Sequence, residues 1–170
     1  MNWAFVIFLL LHVGGAIFAF GPTLTFPLIG GMGAKEPMHV NFSLRAAELI
    51  ERRLVVPLAL LQAVTGIGLI WFTPIDLTKA LWLDLAIVLY VIAMVIVFVN
   101  QLPVTAQLVE ATKNPPPPPP AGSPPPSGPP PHIAALVRRN QLGGMVLTAL
   151  LVVIIILMVF GANGVFGANG

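Results

Sequence analysis

The chain has 170 residues, of which 57% are hydrophobic and only 8% charged, and its formal net charge is +2. Because soluble domains carry about 25% charged residues, this composition excludes an ordinary water-soluble domain. The sequence has no cysteine, which excludes disulfides, Cys-ligated zinc and iron–sulfur clusters, and no Lys/Arg cluster interleaved with aromatics, so no nucleic-acid partner is expected.

Four apolar stretches of the sequence carry no charged residue, and they cover residues 1–34, 54–75, 85–109 and 140–170. A helix crosses the hydrocarbon core of a bilayer with about 20 mostly apolar residues. The sequence therefore predicts an all-α protein, a four-transmembrane-helix membrane bundle in contact with the lipid bilayer. The bacterial cytoplasmic (inner) membrane is the expected location.

The first transmembrane helix is predicted over residues 3–21, where Gly21 and Pro22 interrupt the apolar pattern. Pro27 and the glycines that follow it predict an irregular exit. The stretch lacks the positive start and small-residue cleavage site of a signal peptide, so we expect it to remain as a helix. Gly15 and Ala19 form a small-xxx-small pair, which either packs the bundle internally or docks another subunit.

The second transmembrane helix is predicted over residues 54–72. A preceding helix over 44–53, capped by Asn41 or Ser43 and supported by a Glu48–Arg52 pair, is expected to run directly into it. We expect Pro57 only to kink this helix, because neighbouring helices can satisfy the freed carbonyl.

The third helix is predicted over residues 81–102, and its short link to the second predicts an antiparallel hairpin. The fourth is predicted within 133–161, followed by a flexible tail, 162–170, that belongs to a tandem hexapeptide repeat. Between them, residues 115–131 contain 12 prolines and predict a cytoplasmic polyproline II loop. This loop is either a solvated spacer or a strip that docks on a partner's aromatic groove.

The distribution of basic residues predicts the orientation. Seven of the eight Lys and Arg residues, including Arg52, Arg53, Arg138 and Arg139, lie between helices 1 and 2 or between helices 3 and 4. The positive-inside rule places these segments in the cytoplasm and both termini outside. Trp3, Trp71 and Trp82 then all anchor the outer interface. Arg52 and Arg53 could also bind lipid phosphate.

His12 and Gln62 are the candidate site, because polar residues near the membrane midplane are expensive to bury. A neutral His12 imidazole could ligate a haem iron or relay protons, and Gln62 could bond its free ring nitrogen. Alternatively the two residues form an interhelical hydrogen bond that keeps the helices in register. A second ligand for haem b would have to be Met94 or come from a partner. No catalytic residue is predicted.

Three short motifs resemble a known family: Leu-His-Val-Gly-Gly around His12, the segment 57–66 around Gln62, and Arg138-Arg139 before the last helix. On these motifs the chain resembles the DUF2269 family of predicted bacterial integral membrane proteins. It is more distantly similar to CopD-like and HemJ-like membrane proteins, the latter associated with haem. The resemblance implies four helices and places any family site at His12, Gln62 and Thr65.

The features together predict a non-catalytic membrane subunit that packs within a larger assembly of other membrane protein subunits, such as an electron-transfer or photosynthetic complex. Apolar exteriors, a sparse polar interior and small extramembrane parts motivate this expectation. The alternative is a haem b- or quinone-handling membrane protein centred on His12. The sequence offers no phosphate loop, nucleophile elbow or zinc motif, so an enzymatic role is not expected.

Overall fold

A computed structural model describes residues 2–73, 75–114 and 128–163. In these ranges the chain forms helices and no strand. Four spans of 31–33 residues are long and apolar enough to cross a membrane: span 1 (Trp3–Lys35), span 2 (Val40–Phe72), span 3 (Leu81–Ala111) and span 4 (Pro131–Gly161). The predicted all-α class with four membrane helices is confirmed. Most of the proline-rich segment, residues 115–127, and the tail 164–170 lie outside the described residues.

The spans are built from seven α-helices joined by short 3₁₀ and π segments. The α-helices are α1 (Trp3–Phe20), α2 (Phe26–Lys35), α3 (Val40–Ile50), α4 (Val56–Phe72), α5 (Leu81–Ile96), α6 (Leu102–Ala111) and α7 (Pro131–Ala162). The 3₁₀ segments are Pro22–Thr25 and Pro37–His39, and the π segments are Glu51–Val55 and Val97–Gln101.

The predicted irregular exit from the first helix is wrong, because α2 continues the span as a helix. Pro22 and Pro27 each stand in the first turn of a helical segment, where a missing N–H removes no intrahelical bond. Two threonine hydroxyls bind nearby carbonyls across the junction: Thr23 donates to Phe20 O (2.7 Å) and Thr25 to Pro22 O (2.6 Å). The break at Gly21 is therefore a change of helix type.

Span 2 runs without interruption from α3 into α4, as expected, but the predicted cap is wrong. The helix begins at Val40, and no side chain caps it. Asn41 instead donates across to span 3, to Val109 O (2.8 Å) and Thr112 Oγ1 (3.0 Å). Ser43 donates within the helix to His39 O. The predicted Glu48–Arg52 ion pair is confirmed at 2.9 Å.

The π segments precede the two prolines inside spans 2 and 3. The N–H of Val56 bonds to Glu51 O, and the N–H of Leu102 bonds to Val97 O, so each bond reaches back five residues. Pro57 and Pro103 follow directly. A proline inside a helix lacks a donor and crowds the carbonyl four residues earlier. The wider π turn before each proline is where the helix accommodates that change.

The spans pack as two close pairs. Helix α1 packs on α4, and α5 packs on α7, while α3 contacts α6 at one end of the molecule and so joins the pairs. Spans 2 and 3 follow one another as predicted, and the Tyr90 hydroxyl of α5 donates to Ala59 O of α4 (2.8 Å). Apart from this bond, the hairpin is held mainly by the contact of α3 with α6 at the end opposite its connecting link.

Asp76 closes the link between spans 2 and 3. Its Oδ1 accepts bonds from the Thr78 hydroxyl (2.6 Å) and the Thr78 N–H (3.0 Å). The hydroxyl bond, followed by the N–H bond, lowers the pKa of this exposed carboxyl below its ordinary value. A depressed carboxyl pKa stabilises the folded turn above the unfolded pKa and loses that effect as the pH falls through the folded value.

The two ends of the molecule differ in chemistry. Trp3 and Trp71 lie exposed at one end, where Trp82 packs against Gly161. The opposite end carries Lys35, Arg45, Arg52, Arg53, Lys113, Arg138 and Arg139. These basic residues stand mostly on helices and not in loops, which corrects the expectation, because the spans exceed the roughly 20 residues that a bilayer requires. Which end faces the cytoplasm stays a prediction.

A substitution at Gly68 tests the packing of span 1 against span 2. The Phe8 ring lies directly over Gly68 and stacks on Phe72 with ring centroids 5.5 Å apart. We expect Gly68→Leu to lower the free energy of unfolding by about 1–3 kcal/mol, the typical cost of overpacking. Reversible unfolding in bicelles measures the change.

The control for this experiment is Gly14→Leu, since a Cβ on Gly14 would have nothing within 4 Å of it. This variant should be nearly neutral. Adding Phe8→Ala to Gly68→Leu should recover part of the loss, because it removes the overlapping ring. Equal losses in Gly68→Leu and Gly14→Leu would contradict the packing.

Candidate functional site

The candidate site lies in the α1–α4 seam, which we define by Phe8, His12, Gly15 and Ala19 of α1 and Gln62, Thr65 and Gly68 of α4. The α1 residues are spaced by four, three and four positions, so they share one helix face. Ala19 is 0%, Thr65 1% and Gln62 6% exposed. The side chains of Gln62 and Thr65 are thus enclosed by the two helices.

Glycines make this close approach possible. A Cβ on Gly15 would lie 3.0 Å from Gln62 Nε2, and a Cβ on Gly66 would lie 3.4 Å from His12 Cε1. The side chains of His12 and Gln62 therefore occupy space that larger residues would fill. Of the two roles left open for Gly15 and Ala19, the structure supports internal packing.

His12 and Gln62 face each other as predicted, although the contacts differ from the expected ones. Gln62 Nε2 donates to the backbone carbonyl of His12 (2.8 Å), whereas the ring nitrogen Nδ1 of His12 lies 2.9 Å from Thr65 Oγ1. The expected bond from Gln62 to the ring is therefore wrong. The glycines bring α1 so close that the Gln62 amide reaches the main chain, and Thr65 meets the ring.

The surroundings of Thr65 favour one tautomer of His12. The Thr65 hydroxyl lies 2.9 Å from Leu61 O and 3.2 Å from Gln62 O, and both carbonyls can only accept. When its single proton is directed to one of these carbonyls, its oxygen accepts from the imidazole. His12 Nδ1 then carries the ring proton, and Nε2 keeps a free lone pair.

His12 Nε2 has no hydrogen-bond partner among the described residues, and it is not enclosed by the protein. A histidine fixed through Nδ1 with a free Nε2 is the arrangement used for metal ligation. Met94 lies on α5 one turn after Tyr90, whose hydroxyl donates to Ala59 O of α4, and its role as the second ligand stays a prediction. In the described part of the chain, no group of three or more His, Cys, Asp or Glu could hold a metal ion.

Sequence reasoning missed a second group of polar residues, which lies between spans 2, 3 and 4. Glu51 is 8% and Thr105 is 4% exposed, and their side chains lie close to each other. Thr105 also donates to Asn140 Oδ1 at 3.4 Å. The available signal was helical spacing: Glu51 stands four residues after Ala47 and four before the buried Val55, so it continues an apolar face.

The predicted membrane anchors have different partners. Arg52 is paired with Glu48, and Arg139 Nε donates to Asn100 Oδ1 at 2.6 Å. Arg53 and Arg138 are exposed. None of these arginines contacts the α1–α4 seam, so the structure separates the candidate site from the basic end.

The architecture defines an integral membrane protein of four helical spans with a polar seam along its first helix pair. A family model described as a predicted integral membrane protein (DUF2269) matches residues 6–161. The chain belongs to the DUF2269 family. No curated protein and no solved structure matches it. The more distant likeness to CopD-like and HemJ-like proteins stays a prediction.

Thr65→Val tests the bond that orients the His12 ring. Valine keeps the shape of threonine and removes the hydroxyl, so we expect the free energy of unfolding to fall by about 0.6–1.7 kcal/mol, the range of interhelical bonds in membranes. The matched control is Thr148→Val, because that hydroxyl bonds only to Gly144 O of its own helix. Equal losses from the two variants would contradict an interhelical role.

Proposed function

We propose that this protein is a non-catalytic membrane subunit that packs within a larger membrane complex of the electron-transfer or photosynthetic class. The observation that carries the proposal is the arrangement of its helices as two close pairs. Span 1 packs on span 2 alone, so the opposite face of α1 has no partner within the described chain. Lipid or another protein must cover that face.

The free face of α1 has the shape of a surface on which another helix can pack, because a small residue lies between two large apolar ones. Leu10 and Ile17 are 72% and 64% exposed, and between them lies Gly14, where a Cβ would meet nothing within 4 Å. All three lie on the side opposite His12, by the 3.6-residue period. Membrane helices associate where small residues let backbones approach, and this dip between large apolar side chains supports a partner helix there.

Extraction of the native membrane into polymer nanodiscs tests the subunit proposal. A tagged chain should co-purify with other integral membrane proteins, and Gly14→Leu should reduce their recovery because it fills the dip. Gly30→Leu is the control, since Gly30 also has open space around it but lies on α2. Recovery of the 18.0 kDa chain alone from native membranes would contradict the proposal.

A second candidate function is supported by His12 itself: the chain binds haem b, or a quinone, at the outer side of the α1–α4 seam. Nε2 of His12 would hold the iron, and Thr65 would keep the ring oriented. Haem b bound there supplies one-electron chemistry. His12 would supply one ligand to the iron, and a second ligand from a partner would link this candidate to the subunit proposal.

Absorbance spectra test the haem candidate. We expect a Soret band after reconstitution with haem b, its loss in His12→Ala, and its retention in His39→Ala, because His39 is an exposed residue at the basic end. Thr65→Val should shift the band or weaken binding without abolishing it. A Soret band of unchanged intensity in His12→Ala would exclude His12 as the ligand.

A further inference from the structure

A shallow, open groove runs between spans 3 and 4 at the basic end of the molecule. Ile96, Leu142 and Val146 form its apolar wall, and Asn100, Arg138 and Arg139 line its polar end. Arg139 and Val146 are seven residues apart on α7, about 10 Å along the helix. The groove therefore combines a cationic head with an apolar tail.

The two arginines of the cationic head have hydrogen-bond donors that no described residue uses. Arg139 uses Nε for Asn100 Oδ1 (2.6 Å), which holds the guanidinium in place and leaves its terminal NH₂ groups for another acceptor. Arg138 forms no ion pair or hydrogen bond with any described residue, and no carboxylate in the described part of the chain lines the groove. By contrast, Arg52 at the same end is paired with Glu48 at 2.9 Å.

The floor of the groove depends on Gly143. A Cβ at this position would overlap the amide groups of Asn100 and Gln101. Because glycine has no side chain, α7 can lie close to the π segment of span 3, which carries Asn100. Asn100 can then hold Arg139 beside the apolar wall.

From this charge and shape we propose that the groove binds one anionic phospholipid, with its phosphate on Arg138 and Arg139 and an acyl chain along Ile96, Leu142 and Val146. Guanidinium groups bind phosphate through paired hydrogen bonds. Two cations without a neighbouring carboxylate favour an anionic headgroup over a zwitterionic one, whose ammonium would face the arginines. The site is independent of His12 and of any partner on α1.

Native mass spectrometry of the full-length protein, titrated with phosphatidylglycerol and with phosphatidylcholine, tests the proposal. We expect retention of one phosphatidylglycerol and little phosphatidylcholine. The double variant Arg138→Gln with Arg139→Gln should weaken phosphatidylglycerol binding about 30-fold, from roughly fivefold for each interfacial charge. Lys35→Gln with Arg45→Gln is the matched control and should leave binding unchanged, because these two exposed cations of the basic end do not line the groove.

The variant Val146→Trp distinguishes binding of a lipid from binding of a free phosphate. It blocks the apolar wall and leaves both arginines, so it should weaken phosphatidylglycerol binding, and inorganic phosphate should not compete. Competition by inorganic phosphate with no effect of Val146→Trp would overturn the lipid assignment in favour of a free anion. Equal binding of the two lipids, or an equal loss in the Lys35/Arg45 control, would overturn a specific site. Circular dichroism of each variant establishes that the helices are retained.

Discussion

A transmembrane helix satisfies its own backbone but not its polar side chains, and this constraint determines which helix faces meet in the protein. In the α1–α4 seam the Gln62 amide and the Thr65 hydroxyl are enclosed by two helices. Gln62 donates to the His12 carbonyl, and Thr65 bonds to the half-buried His12 ring. Gly15 and Gly66 supply the space. Removing these groups from the seam would expose them to hydrocarbon, at a cost of several kcal/mol for each unsatisfied group.

The same constraint acts at the basic end, where the two helix pairs are joined. Asn41 reaches from span 2 to span 3, and Thr105 lies between Glu51 and Asn140. Val104 and Leu108, which are 0% and 1% exposed, pack in the same region. The π segments before Pro57 and Pro103 lie here as well, so the irregular turns and the polar contacts between pairs occupy one layer of the molecule.

Small residues and charges distinguish three surfaces of the molecule, which are the polar seam, the free face of α1 and the cationic groove. Gly15 faces the seam and Gly14 the opposite side of α1, so neighbouring glycines serve internal packing and an open face respectively. The arginines differ in the same way, because Arg52 is neutralised by Glu48 whereas Arg138 has no acidic partner in the described chain. The polar seam, the free face of α1 and the cationic groove therefore differ in both position and chemistry.

The sequence alone determined the four apolar spans, the basic and Trp-bearing ends, the Glu48–Arg52 pair and the facing of His12 by Gln62. These follow from hydropathy, charge and spacing, which are local properties of the chain. Only the tertiary structure decided that Thr65 holds the His12 ring, that Asn41 bonds across to span 3 and that Glu51 is buried. Those contacts depend on the rotation of each helix about its axis, where a shift of one residue turns a side chain by about 100° to another neighbour.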